Sequence, residues 1–464
     1  MAADFDIVYF NDILFFVGHG GLEVSVSVGL GSSVTLKIPA AMEAAPYQSP
    51  KNTPASASRQ PALGFIFVTL FLDILGIGIV VPILAKLVET LHGGGTDAAA
   101  PIYGLMVAVY CLMQFLCAPL LGSLSDQVGR RPVILVALFG AGLDYFLLAW
   151  APSLGWFFVG RVIAGMTGAN FSAATAYIAD VSPPEKRAAN FGLVGAAFGL
   201  GFIVGPAIGG LLGEYSLRLP FIVAGSITLL NWLYGYIVLP ESLAAKNRRK
   251  FSWRAANPVA SLKGLGRSPL ILGLAVSVFL LNVAHYVYQS VWVLYTGYRY
   301  GWGPREVGIS LVVVGIMSAL VQGVLARKIL PKLGERKAMM IGLVVMLVEM
   351  VGFGMAWEAW QLYALIIFGS LGGLAGPAMQ GLMSRSVGDD EQGWIQGAIT
   401  SLSSLAGIFA PPVLTMILAF FIADSMPRPI PGAPFFFSAV LMAAAVLVAL
   451  RVARGAKLKE SGGV

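Results

Sequence analysis

The sequence is poor in charge. Asp, Glu, Lys and Arg make up 11% of its 464 residues, against about 25% in an ordinary soluble domain, while apolar residues reach 57%. So few charges cannot clothe a water-soluble fold of this length, which leaves a bilayer as the solvent. Cysteine is nearly absent as well. Cys111 and Cys117 lie six apart in one apolar run, a spacing that excludes a disulfide framework and a zinc site and leaves both as packing or lipid-facing residues. None of the three histidines has a candidate nucleophile as partner, and the glycine-rich stretches fall inside apolar runs rather than in phosphate loops. The chain therefore offers no catalytic constellation, no metal site and no resident cofactor. A net charge of +7 would suit nucleic acid, but the basic residues are scattered through alternate short loops, so no nucleic-acid partner is expected.

What is present is a series of apolar runs. A hydrocarbon core of about 30 Å takes about 20 helical residues, and from Leu63 onward runs of that length recur with short polar breaks. They predict spans near residues 63–85, 102–121, 132–151, 155–180, 191–212 and 219–239, then 269–295, 307–326, 338–356, 360–383, 395–420 and 432–450. The polar stretch 240–268, with Lys246, Arg248, Arg249, Lys250, Arg254, Lys263 and Arg267, parts the two sets. The predicted fold is an all-α integral membrane protein of twelve transmembrane helices in two pseudo-symmetric six-helix bundles, 62–239 and 269–451. A central cytoplasmic loop joins them, and 452–464 form a cytoplasmic tail. Residues 1–61 differ. Asn11 and Asp12 interrupt their one apolar stretch, Asp4 and Asp6 stand where a signal peptide would be basic, and Ala, Ser, Pro and Gln accumulate from Ala40 to Pro61. They read as a disordered cytoplasmic extension, with Met42 available as an internal start.

Orientation follows from the basic residues. Of 30 Lys and Arg, Lys37 in the extension and Arg161 inside a span are set aside; 23 of the rest lie on the side of the termini and the central loop, and 5 lie opposite. The positive-inside rule then makes both termini cytoplasmic. A shift of 205 residues superposes Gly129 on Gly334, Asp144 on Glu349, Gly192 on Gly397 and Pro206 on Pro411. One register serving four pairs predicts duplicated halves related by an axis along the membrane normal.

The loop after the second span reads Gly122-Ser-Leu-Ser-Asp126-Gln-Val-Gly129-Arg130-Arg131-Pro132. It resembles the signature loop of the major facilitator superfamily, which implies a latch: Asp126 can meet a helix N-terminus, with Arg130 and Arg131 beside it, and release when the halves rock. Arg161-Val-Ile-Ala-Gly165-Met-Thr-Gly168-Ala-Asn170 resembles the family's fourth-helix motif. The stretch Gly199-Leu-Gly201-Phe-Ile-Val-Gly205-Pro206-Ala-Ile-Gly209-Gly210 resembles its fifth-helix antiporter motif, in which Gly201, Gly205, Pro206 and Gly209 allow close helix approach and which implies export rather than uptake.

Within that superfamily, residues from about Phe71 to Pro412 are similar to the tetracycline efflux proteins. The matching segments include Leu72-Asp73-Ile-Leu-Gly76-Ile-Gly78, Gly142-Leu-Asp144-Tyr145, Tyr177-Ile-Ala-Asp180, Leu239-Pro240-Glu241-Ser242 and Gly376-Pro377-Ala-Met-Gln380. The resemblance implies a bacterial inner-membrane drug:proton antiporter acting as a monomer, with protons as coupling ion and magnesium able to travel chelated to the substrate. A proton symporter or uniporter of a small metabolite is the alternative, opposed by the fifth-helix motif. Where those proteins carry a histidine in the eighth helix and an aspartate in the ninth, this chain has Ser318 and Met346, and Glu349, three residues on, is placed to supply the carboxylate.

Asp73, Asp144, Arg161 and Glu349 fall within apolar spans, where a charge costs roughly 2.5 to 3.5 kcal/mol on insertion scales. They are the candidates for proton coupling. Asp73 is expected to pair with Arg161, since an opposite charge holds a carboxylate ionised and its withdrawal lets a proton bind. Asp144 and Glu349 are expected to face a central cavity from the two halves. Gln114, Asn170, Gln289, Gln322 and Gln380, with the aromatic Tyr145, are the candidates for contact with the small-molecule substrate. His285, near the middle of the seventh span, reads as a packed hydrogen-bonding residue able to titrate near neutral pH.

Overall fold

In hydrocarbon every backbone N–H and C=O must be satisfied within the chain, so long apolar runs become helices. The computed structural model of the protein describes residues 6–10, 13–18, 21–28, 32–37, 59–183, 186–251, 262, 265–267, 269–385 and 392–461. They fall into two units, Met1–Ser56 and Ala57–Val464. In the first, β1 (Asp6–Phe10), β2 (Ile13–Gly18), β3 (Gly21–Val28) and β4 (Ser32–Lys37) pair antiparallel in sequence order, with Ile7 opposite Phe16 and Glu23 opposite Lys37. The sequence reading placed no element here.

The regular elements described in the second unit are all helical. Its first half holds α1 (Arg59–His92), α2 (Thr96–Val128), α3 (Arg130–Ala149), α4 (Leu154–Gly168), α5 (Phe171–Val181), α6 (Arg187–Tyr215) and α7 (Leu219–Val238). The second half holds α8 (Pro269–Ser290), α9 (Trp292–Tyr300), α10 (Pro304–Leu320), α11 (Ala326–Leu333), α12 (Glu335–Met355), α13 (Ala359–Gly369), α14 (Ala375–Arg385), α15 (Gln392–Ile422) and α16 (Ala433–Ser461). A π-helical turn, Val321–Leu325, joins α10 to α11, and a 3-10 turn, Ser370–Leu374, joins α13 to α14. Among the described residues, eleven helical segments are long and apolar enough to cross a membrane. Helices α4 and α5 are separated by a turn at Ala169–Asn170, next to Gly168, where glycine and asparagine are weak helix formers, and neither is among the eleven, where twelve spans were expected.

Side chains are distributed as the bilayer demands. Val136, Leu230, Ile237, Phe420 and Val440 point outward, whereas Thr69, Thr228, Asn231 and Ser277 are buried. Asn231 of α7 donates to the Thr69 carbonyl of α1 at 2.8 Å, polar glue between two helices. One large core runs through both halves, joining Ile79, Ile83, Phe157 and Phe221 of the first to Trp292, Tyr295, Phe353, Leu414 and Phe435 of the second. Three smaller cores stay within single halves: one around Ile66, Val133, Tyr177 and Ile178, one around Leu274, Met339, Ala378 and Met442, and a small one of Val321, Ala326 and Leu374. The halves are therefore fused at one end, near the α1–α2 and α9–α10 turns, and separate at the end carrying the α2–α3 loop.

Candidate transport pathway

The seam between the halves is built on glycine. Helix α6 carries two small-residue faces. Gly201, Gly205 and Gly209, one turn apart, lie on α1: a Cβ on Gly205 would be 2.7 Å from Gly78 Cα, and one on Gly78 would be 2.8 Å from the Gly201 carbonyl. Pro206 and Gly210 instead face α10 of the other half, and Gly213 lies between Ile83 of α1 and Pro304 of α10. A Cβ on Gly308 would be 2.5 Å from the Pro206 carbonyl, and one on Gly210 would be 2.8 Å from that of Pro304. The repeat recurs in space, because a Cβ on Gly104 of α2 would be 2.8 Å from the carbonyl of Pro411 in α15. Each seam thus presses a mid-helix proline carbonyl on a glycine of the facing half.

The seam is closed along part of its length only. On the stripe of α6 that meets α10, contact persists to Ile203 against Gly315, yet at Gly199, Gly195 and Gly192 a Cβ would meet nothing within 4 Å, nor would one on Gly323 across the gap. Together with the divided cores, this makes a cleft that opens toward the basic end. Crossing its closed end, Tyr103 of α2 donates to the Gln289 carbonyl of α8 at 3.3 Å, while Cys111 meets the Tyr286 hydroxyl at 3.9 Å.

The four candidates for proton coupling, Asp73, Asp144, Arg161 and Glu349, all lie within helices. Arg161 is 8% exposed and pairs with Asp144, itself 3% exposed, at 4.0 Å. The expected Asp73–Arg161 pair is thereby corrected: Asp73 instead lies beside the Asn170 side chain, at the break between α4 and α5. Spacing could place these residues at one depth but could not fix the rotation of each helix about its axis. Asp73 and Arg161 both remain within electrostatic reach of Tyr110 and Tyr145, so the polar groups of α1, α2, α3 and α4 form one cluster. Asp144 Oδ1 and Arg161 Nε have no hydrogen-bond partner among the described residues. In the second half, Glu349 is 7% exposed, its carboxyl pressed on Gly369 of α13 and beside the Tyr288 phenol of α8. Asp144 rests in the same way on Gly160, whose Cβ would be 3.0 Å from Oδ1. Both carboxyls are packed between helices, which corrects the expectation that they line an open cavity.

Of the other candidates, Gln114 donates to the Tyr110 hydroxyl at 3.4 Å and to the Gly168 carbonyl at 3.5 Å, and Asn170 is 6% exposed. Tyr145 lies against Gly76, Gln289 is exposed, and Gln322 stands in the π-helical turn near Gly373. The side chain of Gln380 lies outside the described residues. Met346 packs on Gly372 and Glu349 on Gly369, so the two share one face of α12 as their spacing required.

At the basic end, Gly129 takes φ +111° between α2 and α3, and Gly334, its counterpart in the repeat, takes +75° before α12. Arg130 then reaches three partners: Asp126 at 2.6 Å, Asp180 at 3.2 Å, and the Ser125 hydroxyl at 2.6 Å, while its backbone N–H donates to Glu241 at 2.9 Å. Arg131 donates to the Tyr236 carbonyl at 2.6 Å, and Gly122 lets Ser172 of α5 come close.

The model of the family described as Major Facilitator Superfamily matches residues 66–411. The chain belongs to the Major Facilitator Superfamily. It is 40% identical over 359 residues to the class C tetracycline resistance protein of Escherichia coli, covering 77% of this chain and 90% of the relative. To the class H tetracycline resistance protein of Pasteurella multocida it is 34% identical over 365 residues, with 77% and 89% covered. A bacterial homologue of the human lysosomal transporter Spinster, solved in an inward-facing and occupied conformation, superposes with a TM-score of 0.67 at 14% identity, covering 87% of this chain and 98% of that one. The protein is thus a multi-pass membrane transporter of this superfamily.

Seen as a superfamily transporter, its signature loop is engaged within its own half. Asp126 was expected to meet a helix N-terminus; its carboxylate faces Arg130 instead, and Asp180 and Glu241 complete the network. Sequence reasoning quoted the segments holding Asp180 and Glu241 without assigning either a role. The available signal was their place: each is an acid just where an apolar run meets the basic side.

Proposed function

We propose that this transporter exports drug-like amphiphiles, tetracycline among them, from a bacterial cytoplasm in exchange for protons. Its halves rock about the glycine seam, with both termini cytoplasmic and a monomer as the working unit. The observation that carries the reading is the coincidence of a seam closed at one end and open at the basic end with three carboxyl groups, Asp73, Asp144 and Glu349, embedded in the helices around it. An acid held out of water is a group for which protonation and conformation are coupled. The names of the curated relatives support tetracycline as the first substrate to try, and a magnesium chelate as its form. The driving force suffices: one charge falling through 100 mV supplies about 2.3 kcal/mol, or roughly a 50-fold gradient at about 1.4 kcal/mol per decade.

The test is accumulation of tetracycline, with and without magnesium, in everted vesicles under an imposed pH gradient. Wild type should accumulate it, and Asp73→Asn, Asp144→Asn and Glu349→Gln should each abolish accumulation. Transport by all three variants at the wild-type level would discard proton coupling, and accumulation only in right-side-out vesicles would mark an uptake carrier.

A further inference from the structure

The outward wall of α3 and α7 ends in an aromatic rim. Val136, Leu230, Leu233 and Ile237 are exposed along it, and toward the basic end Phe139, Trp232 and Tyr236 follow one another with centroids 5.2 and 5.8 Å apart. Arg131 lies over the Tyr236 ring at 5.8 Å, so rings and cation stand where hydrocarbon gives way to headgroups. From this rim the first residues of the central loop run across the helix ends, held down as a strap. Leu239 and Leu243 are buried, Tyr177 of α5 donates to the Pro240 carbonyl at 2.9 Å, and Ser242 donates to Asp180 at 3.1 Å. Glu241 Oε1 accepts from the backbone N–H groups of Arg130, at 2.9 Å, and Leu243, at 3.0 Å. Beyond a 3-10 turn at Ala245–Asn247, the Arg249 N–H donates to the Asp126 carbonyl at 3.0 Å, which ties the strap to the signature loop a second time.

The strap carries four cations within five residues, Lys246, Arg248, Arg249 and Lys250, all exposed. The acids nearby are engaged elsewhere: Asp126 and Asp180 face Arg130, and Glu241 faces backbone donors. Among the described residues none of the four has an ion pair. We infer that this strap is a binding surface for the anionic phospholipid headgroups of the adjoining leaflet. Clustered Lys and Arg just outside a membrane helix attract anionic lipid, and a guanidinium fork matches the oxygens of a phosphate in pairs, so Arg248 and Arg249 supply the hydrogen bonds while Lys246 and Lys250 add charge. Glu241 and the Arg249 N–H fix the strap to the signature loop, so a bound headgroup steadies that loop in the arrangement described.

The experiment titrates the purified full-length protein in detergent against a fluorescent short-chain phosphatidylglycerol, read by polarisation. Each Lys or Arg near an anionic headgroup contributes about fivefold in affinity, so the variant Lys246→Gln, Arg248→Gln, Arg249→Gln, Lys250→Gln should bind at least about fiftyfold more weakly. Glu241→Gln, which loosens the strap but keeps its cations, should also bind more weakly. Lys328→Gln, Lys332→Gln, Lys337→Gln, which removes three exposed cations of the second half, should bind as wild type does. Unlabelled phosphatidylglycerol should displace the probe, and phosphatidylcholine and inorganic phosphate should not. Wild-type affinity in the fourfold variant would overturn the site, and wild-type affinity in Glu241→Gln would overturn the part given to the strap. An equal loss in the second-half variant would leave only a diffuse basic surface, while displacement by inorganic phosphate would mark a site for a soluble anion. Monodisperse elution of each variant guards against counting a misfolded one.

Discussion

Four ionisable residues in apolar spans stand out in the sequence because hydrocarbon tolerates no idle charge. Their partners are another matter. Arg161 turns to Asp144 because α3 and α4 present those faces to each other, a rotation that period and spacing leave undetermined. The pair makes a sharp prediction. Removing one member of a buried ion pair typically destabilises by about 3 to 5 kcal/mol, because the other is left without its counter-charge. Arg161→Gln should therefore lower the melting temperature in detergent markedly, and Asp144→Asn should do so too. The double variant Asp144→Asn, Arg161→Gln should be less destabilised than the sum of the two, since no orphaned charge remains. Strict additivity in that cycle would mean that the two side chains do not interact.

At the scale of the helix, the fifth-helix motif was legible as glycine but not as geometry. Counting glycines could not reveal that α6 splits them between two neighbours, with Gly201, Gly205 and Gly209 toward α1, Gly210 toward α10 and Gly213 between the two. Nor could it tell which glycines matter, because Gly192, Gly195 and Gly199 belong to the same helix and touch nothing. Substitution separates them. Gly205→Ala drives a methyl group into the backbone at Gly78 and should destabilise by about 1 to 3 kcal/mol, the cost of overpacking. Gly192→Ala meets open space, so it should change stability little or raise it by up to about 1 kcal/mol, as alanine is the better helix former. Thermal unfolding of the two variants side by side reads the contrast. Equal effects would mean that α6 does not press on α1 as described. The breaks at Asn170, Val321–Leu325 and Ser370–Leu374 were likewise invisible to hydropathy, which sees a continuous apolar run whatever its local winding.

For the whole molecule, a constant shift of 205 residues carries into the structure at two pairs: Gly129 and Gly334 both take positive φ, and Pro206 and Pro411 both press a carbonyl on a facing glycine. The state of the cleft could not be read in advance, because the sequence is the same whichever end is open. The stripe of α6 gives the state a physical address. Gly195 stands exposed beyond the last contact with α10, while Ala410 of α15 is 1% exposed in the shared core. In a background of Cys111→Ser and Cys117→Ser, Gly195→Cys should react with a membrane-impermeant maleimide in everted vesicles, whose outer face is the cytoplasmic one, and remain unreactive in right-side-out vesicles. Ala410→Cys should react in neither. Labelling of Gly195→Cys in right-side-out vesicles instead would reverse the orientation given by the 23 basic residues. Once orientation is fixed, a proton gradient that drives the halves to the opposite state must close the gap between α6 and α10, so the same cysteine should lose reactivity as the gradient is imposed. Reactivity that never changes under any gradient would leave a cleft that does not alternate, and with it no exchange of protons for substrate.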